Sequence, residues 1–158
     1  MKPTNLSIQL TNFLGHYLAG QRNLSLNTIK AYRDTFILLL QFCRDVKNIP
    51  LEKLHLEHID IDLVEAFLEY LKKERHCKIC TLNHRLTTLH AFFRYLQTQS
   101  PEHLLQCQQI LAIPLRRFVR ESVQYLSKAH LTALLAQPNL NTQEGRRDAV
   151  LLKWLQSL

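Results

Sequence analysis

The stretch Thr81-Leu82-Asn83-His84-Arg85-Leu86-Thr87-Thr88-Leu89-His90-Ala91-Phe92-Phe93-Arg94-Tyr95-Leu96 decides the reading of this chain. Wound as a helix at about 100° per residue, Leu82, Leu86, Leu89, Phe93 and Leu96 form one apolar stripe, with Phe92 at its edge. Asn83, Thr87, His90 and Arg94 fall on a neighbouring face. Those groups are polar or cationic and none is acidic. A helix with a core on one side and basic hydrogen-bonding groups on another suits a place between protein and phosphate. An ordinary solvated face is the plain alternative.

A second segment has the same character. Ser25 is a good N-cap for a helix running from about Leu26 to Asp45. Ile29, Tyr32, Phe36, Leu39, Leu40 and Cys43 make its core face. Lys30, Arg33, Gln41 and Arg44 lie to one side, interrupted by Asp34 and Ile37.

The two segments resemble motifs of the tyrosine recombinases, the family of Xer recombinases and phage integrases. Their core-binding domain reads S-x-x-T-I-x-x-Y-x-x-x-L-x-x-F, matched here by Ser25, Thr28, Ile29, Tyr32, Phe36 and Leu39/Phe42. It later reads T-I-N-x-R-L-S-A-L-R-x-F-F-x-Y-L, matched by Thr81, Asn83, Arg85, Leu86, Leu89, Phe92, Phe93, Tyr95 and Leu96. His90 stands where arginine is usual. The resemblance runs from about residue 7 to the C-terminus.

Around these segments the pattern is helical throughout. The chain has 158 residues, 46% of them hydrophobic, and only three glycines. No stretch alternates with period two, so the expected fold is all-α, without a sheet. A first helix is expected over Ser7 to Gln21, with Leu10, Phe13, Leu14, Tyr17 and Leu18 inward. A third starts at Asp60 or Asp62, where Asp62 and Glu65 fit a capping pattern. The fourth covers Thr81 to Thr98. Ser100-Pro101 opens a short fifth helix ending near Gln109. The resulting organisation is a four- to five-helix core-binding (SAM-like) bundle over 1–110, a basic linker over 111–125, and two helices over 126–158.

The last part resembles the opening of the recombinase catalytic domain. Ser127 caps a helix where the family reads L-T-x-x-E, with His130 in place of the acid, and Pro138 stops it. Arg146-Arg147-Asp148-Ala149-Val150-Leu151-Leu152 resembles the run that leads into T-G-x-R, whose arginine is the family's first catalytic residue. The sequence reaches Leu158 before that motif. The resemblance therefore implies no catalytic residue among these positions: the tyrosine nucleophile and the two phosphate-holding arginines of strand transfer belong to later segments. The apolar end formed by Val150, Leu151, Leu152, Trp154, Leu155 and Leu158 is expected to fold back or self-associate.

Charge supports a polyanionic partner. The net charge is +7 with histidines neutral, and its distribution is uneven. Residues 52–74 hold seven acids against three lysines, so that region should face away from DNA. Pro114 to Arg120 carries Arg116, Arg117 and Arg120 and no acid, the composition of a tether that tracks phosphates. The resemblance implies double-stranded DNA as partner, held by Thr28, Lys30 and Arg33 on the second helix, by Thr81, Asn83, Arg85, Thr87, His90 and Arg94 on the fourth, and by the three linker arginines.

Other constellations carry less. His76, Cys77, Cys80 and His84 lie close together, but a single C-x-x-C lacks the distant second pair of structural zinc sites. No metal and no cofactor is expected. No apolar run is long enough for a bilayer and no signal core opens the chain, so the expected location is the cytoplasm. A small helical interaction module, pairing through the acidic helix or the apolar C-terminal one, is an alternative reading. A helix-turn-helix regulator is another, although no tight glycine turn joins two short helices.

Overall fold

Aromatic side chains set the centre of this fold. Phe13 is fully buried, and its ring lies 5.2 Å from Phe92, 5.4 Å from Tyr95, 5.8 Å from Tyr17, 6.1 Å from Phe36 and 6.2 Å from Tyr32. The pairs with Phe36 and Phe92 meet edge to face, an arrangement that the ring quadrupole favours. The computed structural model describes residues 3–117 and 127–156. Its described residues are helical with no strand, as the periodicity predicts. The chain divides into two compact units, Met1–Phe118 and Val119–Leu158.

In the first unit, α1 (Asn5–Thr11) runs directly into a π-helical stretch, Asn12–Gln21. The sequence reading assumed ordinary winding here. Hydrogen bonds spanning five residues bring positions five apart toward one side, so Phe13 and Leu18 are both buried. Asn23, with φ of 46°, turns the chain into α2 (Leu26–Asp45). Asparagine tolerates that left-handed geometry better than most residues. The Ser25 hydroxyl accepts from the Thr28 N–H at 3.2 Å, the cap read from sequence.

Two single turns, Leu51–Lys53 and Leu56–His58, connect α2 to α3 (Ile61–Lys73). Asp60, not Asp62, caps α3: its carboxylate accepts from the Leu63 N–H at 2.8 Å. Asp62 lies one residue inside the helix, exposed in its first turn, where a negative charge suits the dipole. Next comes α4 (Ile79–Gln99), then a short turn at Pro101–His103 and α5 (Leu104–Leu111). Polar clips hold the connector in place. Gln106 Nε2 donates to the Leu56 and Ile59 carbonyls at 2.7 and 2.8 Å, and the Leu56 N–H donates to Asn5 Oδ1 at 3.0 Å. Cys43 and Cys107 are buried thiols; burial pushes Cys43 up to about 11, so it is a protonated core residue.

The second unit is α6 (Lys128–Leu135) and α7 (Gln143–Gln156). Ser127 caps α6 by accepting from the His130 N–H at 3.3 Å. In the first turn of α7, Gly145 packs onto the Asn139 backbone of the preceding loop so closely that a Cβ would collide with it. No large apolar side chain described in this unit is buried, and Leu134, Leu140, Val150, Leu151 and Trp154 are exposed.

Phe13→Ala removes the ring that five aromatic neighbours share. A loss of about 3–5 kcal/mol is expected, readable as a lower urea midpoint for the unfolding of the first unit. A loss below about 1 kcal/mol would show that this ring is not the centre of the core.

Candidate nucleic-acid interface

Helix α4 is packed on three sides. Toward the core, Leu82, Leu86, Leu89, Phe92, Phe93 and Leu96 are buried. Toward α2, Arg85 is half-buried and its Nη1 donates to the Ala31 carbonyl at 3.2 Å and to Thr35 Oγ1 at 2.9 Å. Thr35 is fully buried and donates in turn to the Ala31 carbonyl at 3.1 Å. On the opposite flank the Asn83 amide holds the backbone of Arg116 at two points. Its Nδ2 donates to the Arg116 carbonyl at 2.7 Å, and its Oδ1 accepts from the Arg116 N–H at 2.9 Å.

His90 lies on that same flank and is buried, 8% exposed, beneath α5. Its Nε2–H donates to the Ile110 carbonyl at 3.1 Å. The sequence reading set His90 on an open polar face; the packing of α5 covers it. Burial pushes the imidazole below its ordinary pKa, the Ile110 hydrogen bond opposes that, and the Arg94 charge adds to the lowering. His90 is therefore neutral at pH 7.

The side of α4 left to solvent is a strip. Cys80, His84, Thr87, Arg94 and Thr98 are exposed along it, with Ala91 half-buried between them. Their spacing of four, three, four, three and four keeps them on one line. No acid lies among them, and the helix extends for about 30 Å.

The remaining expected positions scatter. Thr28 is half-buried in the first turn of α2, its hydroxyl 2.9 Å from Ser25 Oγ. Thr81 is half-buried in the first turn of α4. Lys30 and Arg33 are exposed, but on the side of α2 turned away from Thr28, Ala31 and Thr35, the side that meets α4. The Arg116 guanidinium pairs with Glu69 of α3 at 3.4 Å. Arg117 is exposed. Arg120 lies outside the described residues.

One cation missed in the sequence joins the strip. Arg22, Arg94, Tyr17, Leu18 and Tyr32 line a common cleft of about 90 Å³. The Arg22 N–H donates to the Tyr17 carbonyl at 2.9 Å, the five-residue bond of the π stretch. Ordinary helical spacing turns Arg22 well away from Tyr17, so no periodicity argument assigns it here. A separate hollow of about 580 Å³ lies between α3, α4 and residues 113–116. Asp62, Glu65 and Glu69 line it, so its sign repels phosphate. Among the described residues no group of three His, Cys, Asp or Glu side chains is placed to hold a metal ion. No described helix is long and apolar enough to cross a membrane.

The His90 geometry sets a pH dependence. A histidine whose folded pKa is lowered contributes fully above its unfolded value near 6.5 and loses that contribution as the pH falls further. Unfolding free energy should therefore drop below about pH 6.5. His90→Gln, which retains an N–H donor for Ile110, should flatten that slope. Equal slopes for both proteins in pH-jump urea titrations would remove His90 as its source.

Comparison with known proteins adds an independent finding. Residues 10–100 match the phage integrase N-terminal SAM-like domain. The chain is 41% identical over 151 residues to the integrase/recombinase y4rC of Sinorhizobium fredii, covering 96% of this chain and 46% of that protein. It is 34% identical over 146 residues to y4rD of the same organism, covering 92% and 52%. The tyrosine recombinase XerC of Syntrophus aciditrophicus is 27% identical over 147 residues, covering 92% and 46%. The chain thus spans about half the length of these relatives, and no solved structure matches it. The match over most of the first unit, with the helices that carry it, makes this chain a member of the tyrosine recombinase family bearing its phage integrase N-terminal SAM-like domain.

Proposed function

We propose that this chain is the DNA-holding portion of a site-specific tyrosine recombinase or integrase and itself carries no catalytic residue. The observation that carries this reading is the acid-free strip of α4, with Arg94 and Arg22 lining one cleft beside it. Such a surface meets a phosphate backbone through positive charge and hydroxyl donors. Arg117 is an exposed cation at the start of the basic linker sequence. Asn83, Arg85 and His90 act behind it, fixing α4 against α2, α5 and the segment at Arg116.

The tyrosines fit a non-catalytic role. Tyr17, Tyr32 and Tyr95 belong to the aromatic cluster around Phe13, and Tyr70 packs 5.2 Å from Phe42. Burial raises the pKa of Tyr95, which opposes the activation a nucleophile needs. Tyr125 lies outside the described residues. The exposed apolar residues of the second unit favour self-association; sedimentation at rising concentration should show a growing species, and a constant monomer would end that part of the reading.

Duplex binding should be sequence-tolerant, with a dissociation constant on the order of 10⁻⁴ to 10⁻⁶ M at physiological salt. Contact with about five phosphates gives a log–log salt slope near −4.5. Thr87→Glu with Arg94→Glu, both exposed on the strip, should weaken binding at least tenfold while leaving the thermal midpoint in place. Arg85→Met should do the reverse, lowering stability by about 1.5–3 kcal/mol through loss of a charged hydrogen-bond donor. Fluorescence anisotropy on a labelled duplex reads the first effect. Tight wild-type binding indifferent to both acidic substitutions would refute the assignment.

A further inference from the structure

We infer that the cleft between the end of the π-helical stretch and α4 is a seat for one phosphate, gripped jointly by Arg22 and Arg94. The inference rests on the DNA-holding reading above and adds a residue and a shared contact to it. Both guanidinium-bearing residues line the same hollow, with Tyr17 and Tyr32 beside them and Leu18 and Ala91 as apolar wall. No acidic residue lines it, and neither arginine pairs with a carboxylate among the described residues. Two positive charges facing one hollow focus the local potential and concentrate an anion there.

The supports are rigid where the grip needs them to be. Arg22 is pinned by its own N–H on the Tyr17 carbonyl at 2.9 Å, and two residues on the Leu24 N–H donates to the Leu18 carbonyl at 3.1 Å. Arg94 sits between buried Phe93 and buried Tyr95. The Tyr17 ring lies 4.9 Å from Tyr95, and the Tyr32 ring 6.2 Å from Phe13, so both phenols are held by the core. Neither phenol hydroxyl has a hydrogen-bond partner among the described residues, which leaves each free to donate. Arginine forks match the geometry of a phosphate, and two of them can share its oxygens.

Size selects the ligand. The cleft holds about 90 Å³, far below the roughly 300–1,000 Å³ of sites for organic ligands. That volume matches a phosphate group rather than a whole nucleoside. The same chemistry is offered by free phosphate and by a duplex backbone. Ala91 and Arg94 belong both to the cleft and to the solvent-facing strip of α4, so the source assigned here is a backbone phosphodiester, which would fix the register of that strip along the groove.

Salt dependence of duplex binding tests the shared grip, using the full chain and its Arg22→Ala, Arg94→Ala, double and Arg22→Lys variants. Each phosphate released lowers the slope by about 0.9. Removing both arginines should cost one phosphate, about 0.9, whereas two separate contacts would cost about 1.8. Arg22→Ala alone should weaken binding several-fold, and Arg22→Lys should restore much of it. Circular dichroism of each variant should match the wild type, because both side chains are exposed. A double-variant loss near 1.8 overturns the joint seat. Normal binding by Arg22→Ala overturns it too, yet leaves the DNA-holding reading standing, whereas a wild type that ignores duplex ends both. Inorganic phosphate titrated at constant ionic strength separates the sources: Arg22-dependent binding of free phosphate, without any Arg22 effect on duplex, would overturn the backbone assignment.

Discussion

The packing of α4 on three sides governs everything else in the first unit. Its apolar stripe is buried, Arg85 ties one flank to α2, and Asn83 and His90 tie the other to the Arg116 backbone and to α5. A buried or half-buried polar group must find a partner, and each of these does. What remains for an outside ligand is defined by subtraction: one strip, narrow and without acid. The Arg85 bridge matters most in this arrangement. It satisfies a carbonyl and a hydroxyl of α2 with a single charged donor, at the place where two long helices lie side by side, and so sets their relative register.

The sequence disclosed the elements far better than it disclosed the partners. Ser25 and Ser127 announce helix starts through chemistry that involves only near neighbours, and both cap as expected. The apolar stripe of α4 follows from its period alone. Asp60 and Asp62 were both credible caps, because either one precedes an apolar run; the structure selects Asp60. The polar side of α4 reads as one surface in the sequence, and in the structure it divides into two. Asn83 and His90 share the helical face of Thr87 and Arg94, yet residues 110–116 lie over the first two and not the others. A periodicity argument knows one helix at a time. Which of its polar residues meets water depends on a segment that returns 20 to 33 residues later.

Arg22 shows the same limit in another form. Its position follows from the winding of Asn12–Gln21, where hydrogen bonds reach five residues instead of four. Rotations at ordinary helical pitch still turn Leu10, Phe13, Leu14, Tyr17 and Leu18 inward, as found, but they misplace Arg22 at the end of the stretch. The second unit is legible for the opposite reason. Its residues follow their local signals, with Ser127 capping and Pro138 beyond the end of α6, and little tertiary packing overrides them. Exposed Leu134, Leu140, Val150 and Leu151 contribute little burial, so the stability of that unit depends on whatever surface covers them.

The distribution of side chains also bears on specificity. Arginine and asparagine are the side chains best shaped to read base edges, through paired hydrogen bonds to guanine and adenine. In α4 the two residues of that kind nearest its start are occupied: Asn83 by the Arg116 backbone and Arg85 by α2. The strip itself offers Cys80, His84, Thr87, Ala91 and Thr98, with Arg94 facing the cleft shared with Arg22. Small hydroxyl and methyl groups let a helix approach a duplex closely, but they discriminate weakly between base pairs. On the proposed reading, then, the first unit supplies grip and register. Discrimination among sites would have to come from elsewhere in a recombinase, or from the deformability of the duplex held against α4.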